Sequence, residues 1–242
     1  MLWIGITGSM GSGKSSAAEV LRQMGYAVID ADEVVRDLMK PGQTAEKQIL
    51  QTFGETVKGP DGRLDRRLLG QIVFKDPAKL SQLESILHPL VREQVATEKQ
   101  KLRNAGTPVA FYDVPLLFEK NMQDQFDYII VVSASRELCI QRVQQRTGLS
   151  RPEIEARLKA QMDPAYKVAR ASAVVYNDSD LQDLRHEITG ASRQFYTNGS
   201  HPLNLELTWI VYATRTLDSR QRNLRVHRRL RRAATSAAHR VS

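Results

Sequence analysis

Residues 8–15 read GSMGSGKS, which matches the spacing G-x-x-x-x-G-K-[ST]. Glycines let a backbone curl so that successive N–H groups point inward, and the positive N-terminal end of a following helix adds to that field. The spacing brings the Lys14 ammonium to the β- and γ-phosphates of a nucleotide and the Ser15 hydroxyl to Mg²⁺. The stretch therefore predicts a phosphate-binding loop between a short buried strand at 2–7 and a helix at 15–24.

The pattern on either side of the loop predicts an α/β fold with a parallel sheet. Short apolar runs at 26–29, 109–114, 128–132 and 173–176 alternate with helical spacing, as βαβ units require. Residues 44–103 show helical spacing only, which predicts a helical insertion with one helix starting at Asp76-Pro77. Proline lacks an N–H, so His88-Pro89 should interrupt or kink that helix. Further along, Ser150 and Glu153 have the spacing of a capping box, which predicts the start of another helix. Residues 181–195 are expected to form a closing helix.

The only cysteine, Cys139, cannot form an internal disulfide, and the start of the chain has no basic segment before an apolar one. No run of eighteen apolar residues occurs. These observations predict a protein of a reducing compartment, cytoplasmic and without a membrane span.

A phosphate loop indicates a nucleotide but not a reaction, so other motifs decide between classes. The chain contains neither the N/T-K-x-D nor the D-x-x-G motif of GTPases. In hydrolysing ATPases an Asp-Glu pair follows the apolar strand, whereas here Val114 follows Asp113. These differences favour phosphoryl transfer to a bound acceptor, which is the reaction of a small-molecule kinase.

Such a kinase needs a carboxylate near the acceptor hydroxyl and arginines over the phosphates. Asp32 follows the second strand and is a candidate base, but its spacing is explained equally well by a helix cap. Its neighbour Asp30 is either an N-cap or a strand-end residue. Arg142 and Arg146 lie four residues apart on one helix face. Such a pair is either a solvated face or part of a closing lid.

The motifs taken together resemble the dephospho-CoA kinase family. The similarity runs in order over about residues 4–195, and several of its strings are specific beyond the phosphate loop. Besides Arg142, Arg146 and Gln161, the matching strings are ITGSMGSGKS at 6–15, VIDAD at 28–32, LHP at 87–89, DVPLLFE at 113–119 and VVYN at 174–177.

The resemblance implies ATP-dependent phosphorylation of the ribose 3′-hydroxyl of dephospho-CoA, with ATP, dephospho-CoA and Mg²⁺ as partners. It implies that Asp32 is the base, assisted by Lys14 and by Arg146 as lid arginine. The remaining implied roles are ATP binding by Gly11, Ser12, Gly13, Lys14, Ser15, Ser16, Arg142 and Asn177 (near adenine), acceptor binding by His88, Pro89 and Arg92, and magnesium binding by Ser15 and, through water, Asp113.

The residues also allow other interpretations of individual sites and of the whole chain. Asp113 is also explained as a structural acid at a strand end, and His88 as a packed core histidine. A second possibility is another kinase with the same loop, which acts on a nucleoside or nucleotide. Such a kinase shares the loop, Asp32 and the lid, and only the helical insertion and the PLLFE string argue against it. A nucleic-acid-binding protein is the third possibility, but the chain lacks a base-reading motif and an aromatic stacking platform.

The predicted organisation is a kinase domain at 1–196, with the acceptor-binding insertion at about 44–103 and a lid at about 136–170, followed by a tail. Residues 197–242 carry nine arginines and two acids, so +7 of the net charge of +8 belongs to the tail. The tail is predicted to be disordered and to bind polyanions weakly, with no specific nucleic-acid partner.

Truncation after Asn198 is expected to leave kinase turnover within about threefold of the full chain, because no group predicted to stabilise the transition state is removed. The full chain should bind RNA or anionic lipid weakly, with an affinity that falls steeply with salt because counterions are released. Steady-state assays and salt-dependent binding check both points. A truncated protein that stays folded but loses activity would place the tail in the active site.

Overall fold

A five-stranded, wholly parallel sheet forms the centre of the computed structural model, which describes residues 1–179, 183, 184 and 188. Its order is β2-β3-β1-β4-β5. This confirms the predicted α/β class. The strands are β1 (Leu2–Gly8), β2 (Ala27–Asp30), β3 (Val109–Asp113), β4 (Tyr128–Ser133) and β5 (Ala173–Tyr176).

Helices connect the strands, and several begin at caps that the sequence predicts. Asp76 accepts hydrogen bonds from the amides of Ala78 and Lys79, and Ser150 forms a capping box with Glu153. The helices are α1 (Lys14–Gln23), α2 (Ala31–Leu38), α3 (Thr44–Phe53), α4 (Arg66–Val73), α5 (Pro77–Asn104), α6 (Arg136–Thr147), α7 (Arg151–Lys159) and α8 (Pro164–Arg170).

The sheet buries both of its faces because alternate residues of each strand point to opposite sides. Along β1, Ile4 and Ile6 pack with α1, whereas Trp3 packs on the other face beside Tyr112. The Trp3 and Tyr112 rings lie 5.7 Å apart between centroids. Two hydrophobic layers therefore hold the sheet rigidly beneath the phosphate loop.

Residues 44–104 contribute α3, α4 and α5, with a 3₁₀ turn at Gly54–Val57 after α3. Their apolar side chains form a cluster of their own, separate from the sheet layers and built on Ala45, Ile49, Val57, Leu69, Val73 and Leu83. Within the described residues, the only strand-like pairing of this segment is one antiparallel bridge between Lys58 and Leu64. The helical reading of the segment is therefore correct.

Pro89 does not interrupt the helix, since α5 continues from Pro77 to Asn104. The alternative, a kink at this proline, stays a prediction. Proline removes one N–H from the helix interior and costs about 3 kcal/mol there. Packing along α5 offsets that loss, because Leu83 is buried in the helical cluster and Val95 beneath the sheet.

The register of the sheet brings several strand ends to one edge. Asp30 of β2 and Ile6 of β1 both lie opposite Asp113 of β3, while Gly8 lies opposite Val132 of β4. In parallel sheets of this kind, ligands bind at the carboxyl ends of the strands. Every strand from β1 to β4 thus ends at the edge where the phosphate loop begins.

Parts of the expected chain organisation lie outside the described residues. Of the helix expected at 181–195, the described residues Asp183, Leu184 and Ile188 are helical. The predicted tail at 197–242 lies wholly outside. Among the described residues, no helix is long and apolar enough to cross a bilayer.

Candidate active site

The phosphate loop connects β1 to α1 and turns through two glycines with left-handed backbone angles. Gly11 has φ +82° and Gly13 has φ +88°, a region that favours glycine strongly over other residues. Gly13 is also the N-cap residue of α1, so the N-terminal end of that helix opens onto the loop. The loop therefore has the curl and the helix end that phosphate binding needs.

Close neighbours make these glycines necessary for a second reason. A Cβ atom on Gly13 would overlap the Asn177 side-chain amide, and one on Gly11 would overlap the Cys139 backbone carbonyl. Asn177 Nδ2 donates to the Ser12 carbonyl at 2.9 Å, and its backbone N–H donates to the Ser133 carbonyl at 2.7 Å. The end of β5 thus supports the loop from beneath.

This arrangement refines the roles expected of Ser12 and Asn177. Ser12 is 1% exposed, and its N–H donates to the Ser9 carbonyl at 3.0 Å, so it shapes the loop from inside. The Asn177 amide group, expected near adenine, is bonded to the loop. Its adenine contact stays a prediction.

A cavity of about 620 Å³ lies over the loop and brings together most of the predicted site residues. Ser12 and Asp113 do not line it, and neither do the three predicted acceptor residues on α5. The lining residues are Gly8, Ser9, Met10, Gly11, Gly13, Lys14, Ser15, Ser16, Asp32, Pro115, Arg142, Arg146, Gln161, Asn177 and Ser179.

Lys14 pairs with Asp113, which lies fully buried at the end of β3. Burial raises the pKa of the Asp113 carboxyl group, and the Lys14 ammonium acts in the opposite direction. Asp113 Oδ2 has no hydrogen-bond partner among the described residues. The aspartate therefore lies beneath the cavity floor, where it holds the lysine at the loop.

The two aspartates after β2 have separate places in the structure. Asp30 caps α2, since Oδ1 accepts from the amides of Asp32 and Glu33 at 2.8 and 3.1 Å. Asp32 lies in the first turn of α2 and lines the cavity. The cap is thus Asp30, and the Asp32 carboxylate is left for the cavity.

Tyr112 lies below these carboxylates, in the strand position just before Asp113. Burial, together with the negative charges of Asp30, Asp32 and Asp113, raises its pKa to about 12. Its hydroxyl is therefore neutral throughout the physiological range.

The two arginines of α6 are held differently. Arg142 donates to the backbone carbonyls of Asn177 and Ser179 at 2.9 and 3.2 Å, which fixes its guanidinium beside the loop. Arg146 lies one turn further along and is exposed at the cavity rim. Within residues 1–179, no hydrogen bond or ion pair holds its guanidinium.

The predicted acceptor residues lie apart from the cavity lining. His88, Pro89 and Arg92 are all exposed on α5, so the alternative of a packed core histidine is wrong. The Arg92 side chain returns to its own helix, where Nε donates to the His88 carbonyl at 3.3 Å. α5 packs against α2, the helix that carries Asp32.

Sequence reasoning gave no role to several residues that the structure brings to the site. Gln161 is one of the single residues that match the family, and its Oε1 accepts from the Met10 amide of the loop at 3.0 Å. Nearby, the buried Lys167 pairs with Glu119 at 2.7 Å. Glu119 ends the DVPLLFE string, but no spacing in the sequence indicates Lys167 as its partner.

Comparison with known proteins gives the family. The family model described as dephospho-CoA kinase matches residues 2–183. Dephospho-CoA kinase of Bdellovibrio bacteriovorus is 41% identical over 188 residues, which cover 78% of this chain and 93% of that protein. The enzyme of the same name from Geobacter sulfurreducens is 41% identical over 76% of this chain and 94% of its own.

Two solved structures are similar along nearly their whole length. The protein TT1252 from Thermus thermophilus has a TM-score of 0.69 at 39% identity, covering 80% of this chain and 97% of its own. Dephospho-CoA kinase from Campylobacter jejuni has a TM-score of 0.60 at 26% identity, covering 82% and 98%. With the matched family model and these relatives, the chain belongs to the dephospho-CoA kinase family.

Proposed function

We propose that this chain transfers the γ-phosphoryl group of ATP to the ribose 3′-hydroxyl of dephospho-CoA, which gives coenzyme A and ADP. The observation that carries the proposal is the cavity in which the phosphate loop, Asp32 and the α6 arginines meet. Membership of the dephospho-CoA kinase family supports the acceptor. The cytoplasmic location stays a prediction.

The phosphates of ATP would bind at the curled loop. The N–H groups at the start of α1 and the Lys14 ammonium supply the positive field that the β- and γ-phosphates need. Lys14 is 13% exposed and lies against Asp113, so its charge is fixed in place before ATP arrives. A charge placed in advance stabilises the transition state without reorganisation.

The residues beside the loop fit a magnesium ion. Ser15 lines the cavity, and the unpartnered Oδ2 of Asp113 can accept from a magnesium-bound water. Within the described residues, no group of three His, Cys, Asp or Glu side chains is placed to hold a metal. Mg²⁺ in phosphoryl transfer is held mainly by phosphates and water, so one hydroxyl and one carboxylate suffice. When bound, the ion neutralises charge on the phosphates.

Asp32 is the proposed base for the 3′-hydroxyl. It is the only carboxylate that lines the described cavity, and Asp30 performs the capping that would otherwise occupy it. The carboxylate would accept the hydroxyl proton as the oxygen attacks the γ-phosphorus. Arg146 would then neutralise negative charge on the transferred group, and the fixed Arg142 would hold the nucleotide.

The acceptor would enter from the side of α5. We keep His88, Pro89 and Arg92 as its proposed contacts because α5 packs on α2 and their side chains are exposed rather than used in the core. Guanidinium groups bind phosphate well, and dephospho-CoA carries a pyrophosphate.

The direct test is ADP release coupled to a dehydrogenase signal, with Mg-ATP and either dephospho-CoA or nucleoside monophosphates as acceptors. Of these acceptors, we expect only dephospho-CoA to be phosphorylated. Turnover with a nucleoside monophosphate but not with dephospho-CoA would overturn the proposal in favour of another kinase with the same loop.

Replacement of Lys14 by Ala is expected to abolish transfer, because its ammonium stabilises charge on the phosphoryl group. It should also lower the melting temperature, since the buried Asp113 carboxylate loses its partner. The double variant Lys14→Ala/Asp113→Asn removes both charges and should regain stability without activity. A stable Lys14→Ala variant within about tenfold of wild-type activity would contradict this role.

Asp32→Asn is expected to lower kcat by about 10²–10⁴-fold with little change in ATP affinity, because the amide cannot take up the hydroxyl proton. The matched control is Asp30→Asn, since asparagine caps helices as well as aspartate does, and its stability and kcat should stay near wild type. Kinetics and thermal melting of both variants separate base from cap. An active but unstable Asp32→Asn variant would show that Asp32 is structural.

Arg146→Ala is expected to lower kcat by about 10²-fold and to change ATP affinity less, because its guanidinium has no partner in residues 1–179 until the phosphates are bound. The control is Arg157→Ala, which removes an exposed arginine of α7 away from the cavity. Steady-state kinetics with both substrates check the split. Equal kcat values for the two variants would leave Arg146 as a solvated helix residue.

A further inference from the structure

An ion pair between a fully buried lysine and a partly buried glutamate has no place in the reaction as described so far. Lys167 on α8 is fully buried, and its Nζ lies 2.7 Å from Glu119 Oε1. Burial alone would raise the Glu119 pKa, but Lys167 and nearby backbone amides outweigh it and hold the pKa below its ordinary value. The Glu119 carboxyl group is therefore ionised at neutral pH.

Burying an ammonium is costly, and a buried ion pair often stabilises a fold no better than apolar residues of the same size. Apart from Glu119, the described residues offer the Lys167 ammonium no acceptor. The pair is therefore poorly explained as a source of stability. The pair does fix the position of the Glu119 carboxylate, because the Lys167 ammonium has this one specific partner.

The second contact of Glu119 shows what is being fixed. Its Oε1 also accepts from the backbone N–H of Met162 at 3.1 Å. Met162 lies in the short connection between α7 and α8, next to Gln161. Glu119 thus ties this connection to the segment that leaves β3 after Asp113, at the floor of the cavity.

Gln161, the residue before Met162, links this connection to the cavity. Its Oε1 accepts from the Met10 amide of the phosphate loop at 3.0 Å, and the residue lines the cavity. Because the oxygen is used as the acceptor, Nε2 is the remaining end of the amide and can only donate. Among the described residues Nε2 makes no hydrogen bond, and Lys14, Arg142 and Arg146 line the same cavity.

We propose that Glu119 and Lys167 are positioning residues that aim Gln161, and that Gln161 Nε2 donates a hydrogen bond to a phosphate oxygen of ATP. This inference rests on the proposed kinase function for its kinetic readout, but its binding readout needs only ATP. A neutral donor in the same cavity as Lys14 and Arg142 can orient a phosphate oxygen by a directional hydrogen bond without adding charge. Displacement of such a group by about 1 Å can cost about 10²-fold in rate.

The test is a double-mutant cycle between Glu119→Gln and Gln161→Ala in the full chain, read as kcat, KM for each substrate and ATP affinity by calorimetry. We expect each single variant to lower kcat at least about tenfold and to weaken ATP binding, with KM for dephospho-CoA unchanged. In the Gln161→Ala background, Glu119→Gln should add less than about a twofold loss of kcat.

Two further variants keep the outcome clear of general instability. Glu119→Asp keeps the charge but withdraws the carboxylate by one methylene, so it should repeat the coupled loss even if Glu119→Gln folds poorly. Glu137→Gln removes the exposed ion pair with Arg151, which joins α6 to α7, and should leave kcat within about twofold of wild type.

The inference would be overturned if Glu119→Gln lowered kcat by the same factor in the wild-type and Gln161→Ala backgrounds. It would also be overturned by wild-type kcat and ATP affinity in a folded Glu119 variant. Melting temperatures alone do not decide, since a purely structural pair would lower them equally in both backgrounds. If the wild-type protein phosphorylates no dephospho-CoA, the proposed function fails. The coupling in ATP affinity then still decides whether Glu119 acts through Gln161.

Discussion

The hydrogen bond from Asn177 to the Ser12 carbonyl holds the phosphate loop in its curled path, and the rest of the site is arranged around that loop. The bond reaches the loop from β5, two strands away from β1 in the sheet. It works only because Ser133 at the end of β4 fixes the Asn177 backbone and because Gly13 leaves room for the amide. The loop conformation is thus a property of three strands in register, more than of its own eight residues.

The charged side chains of the site differ in exposure and in how firmly protein groups hold them. Asp113 is covered and holds Lys14, whereas Asp32 lines the cavity. Arg142 is bound by two backbone carbonyls one turn away from the exposed Arg146. Lys14 and Arg142 are thus held in place by protein groups, so that little reorganisation is needed when charge develops on a ligand.

The sequence alone predicts the parts of this structure that depend on local spacing. The strands, the loop and the caps at Asp76 and Ser150 are read from neighbours a few residues apart, and the structure has them at those places. It does not tell Asp30 from Asp32, because both suit a helix start and only the three-dimensional path shows which carboxylate meets the amides.

Contacts between distant segments explain what the sequence leaves out. Nothing near Lys167 indicates a carboxylate partner, and Gln161 has no local feature that points to the Met10 amide. The expected interruption of α5 at Pro89 does not occur for the same reason. Its local cost is read correctly, but packing of both halves of α5 against other elements is visible only in the fold.

The course of α5 through two separate hydrophobic clusters has a consequence for how the protein opens. Leu83 and Leu87 belong to the helical cluster, whereas Val91 and Val95 belong to the layer beneath the sheet, and Pro89 lies at the change. Amide protons exchange with solvent through the opening of the unit that covers them. We therefore expect the amides of the first half of this helix to exchange with the opening of the helical cluster, and those of the second half with the opening of the sheet layer. Pro89, near the junction of the two halves, has no amide proton to exchange.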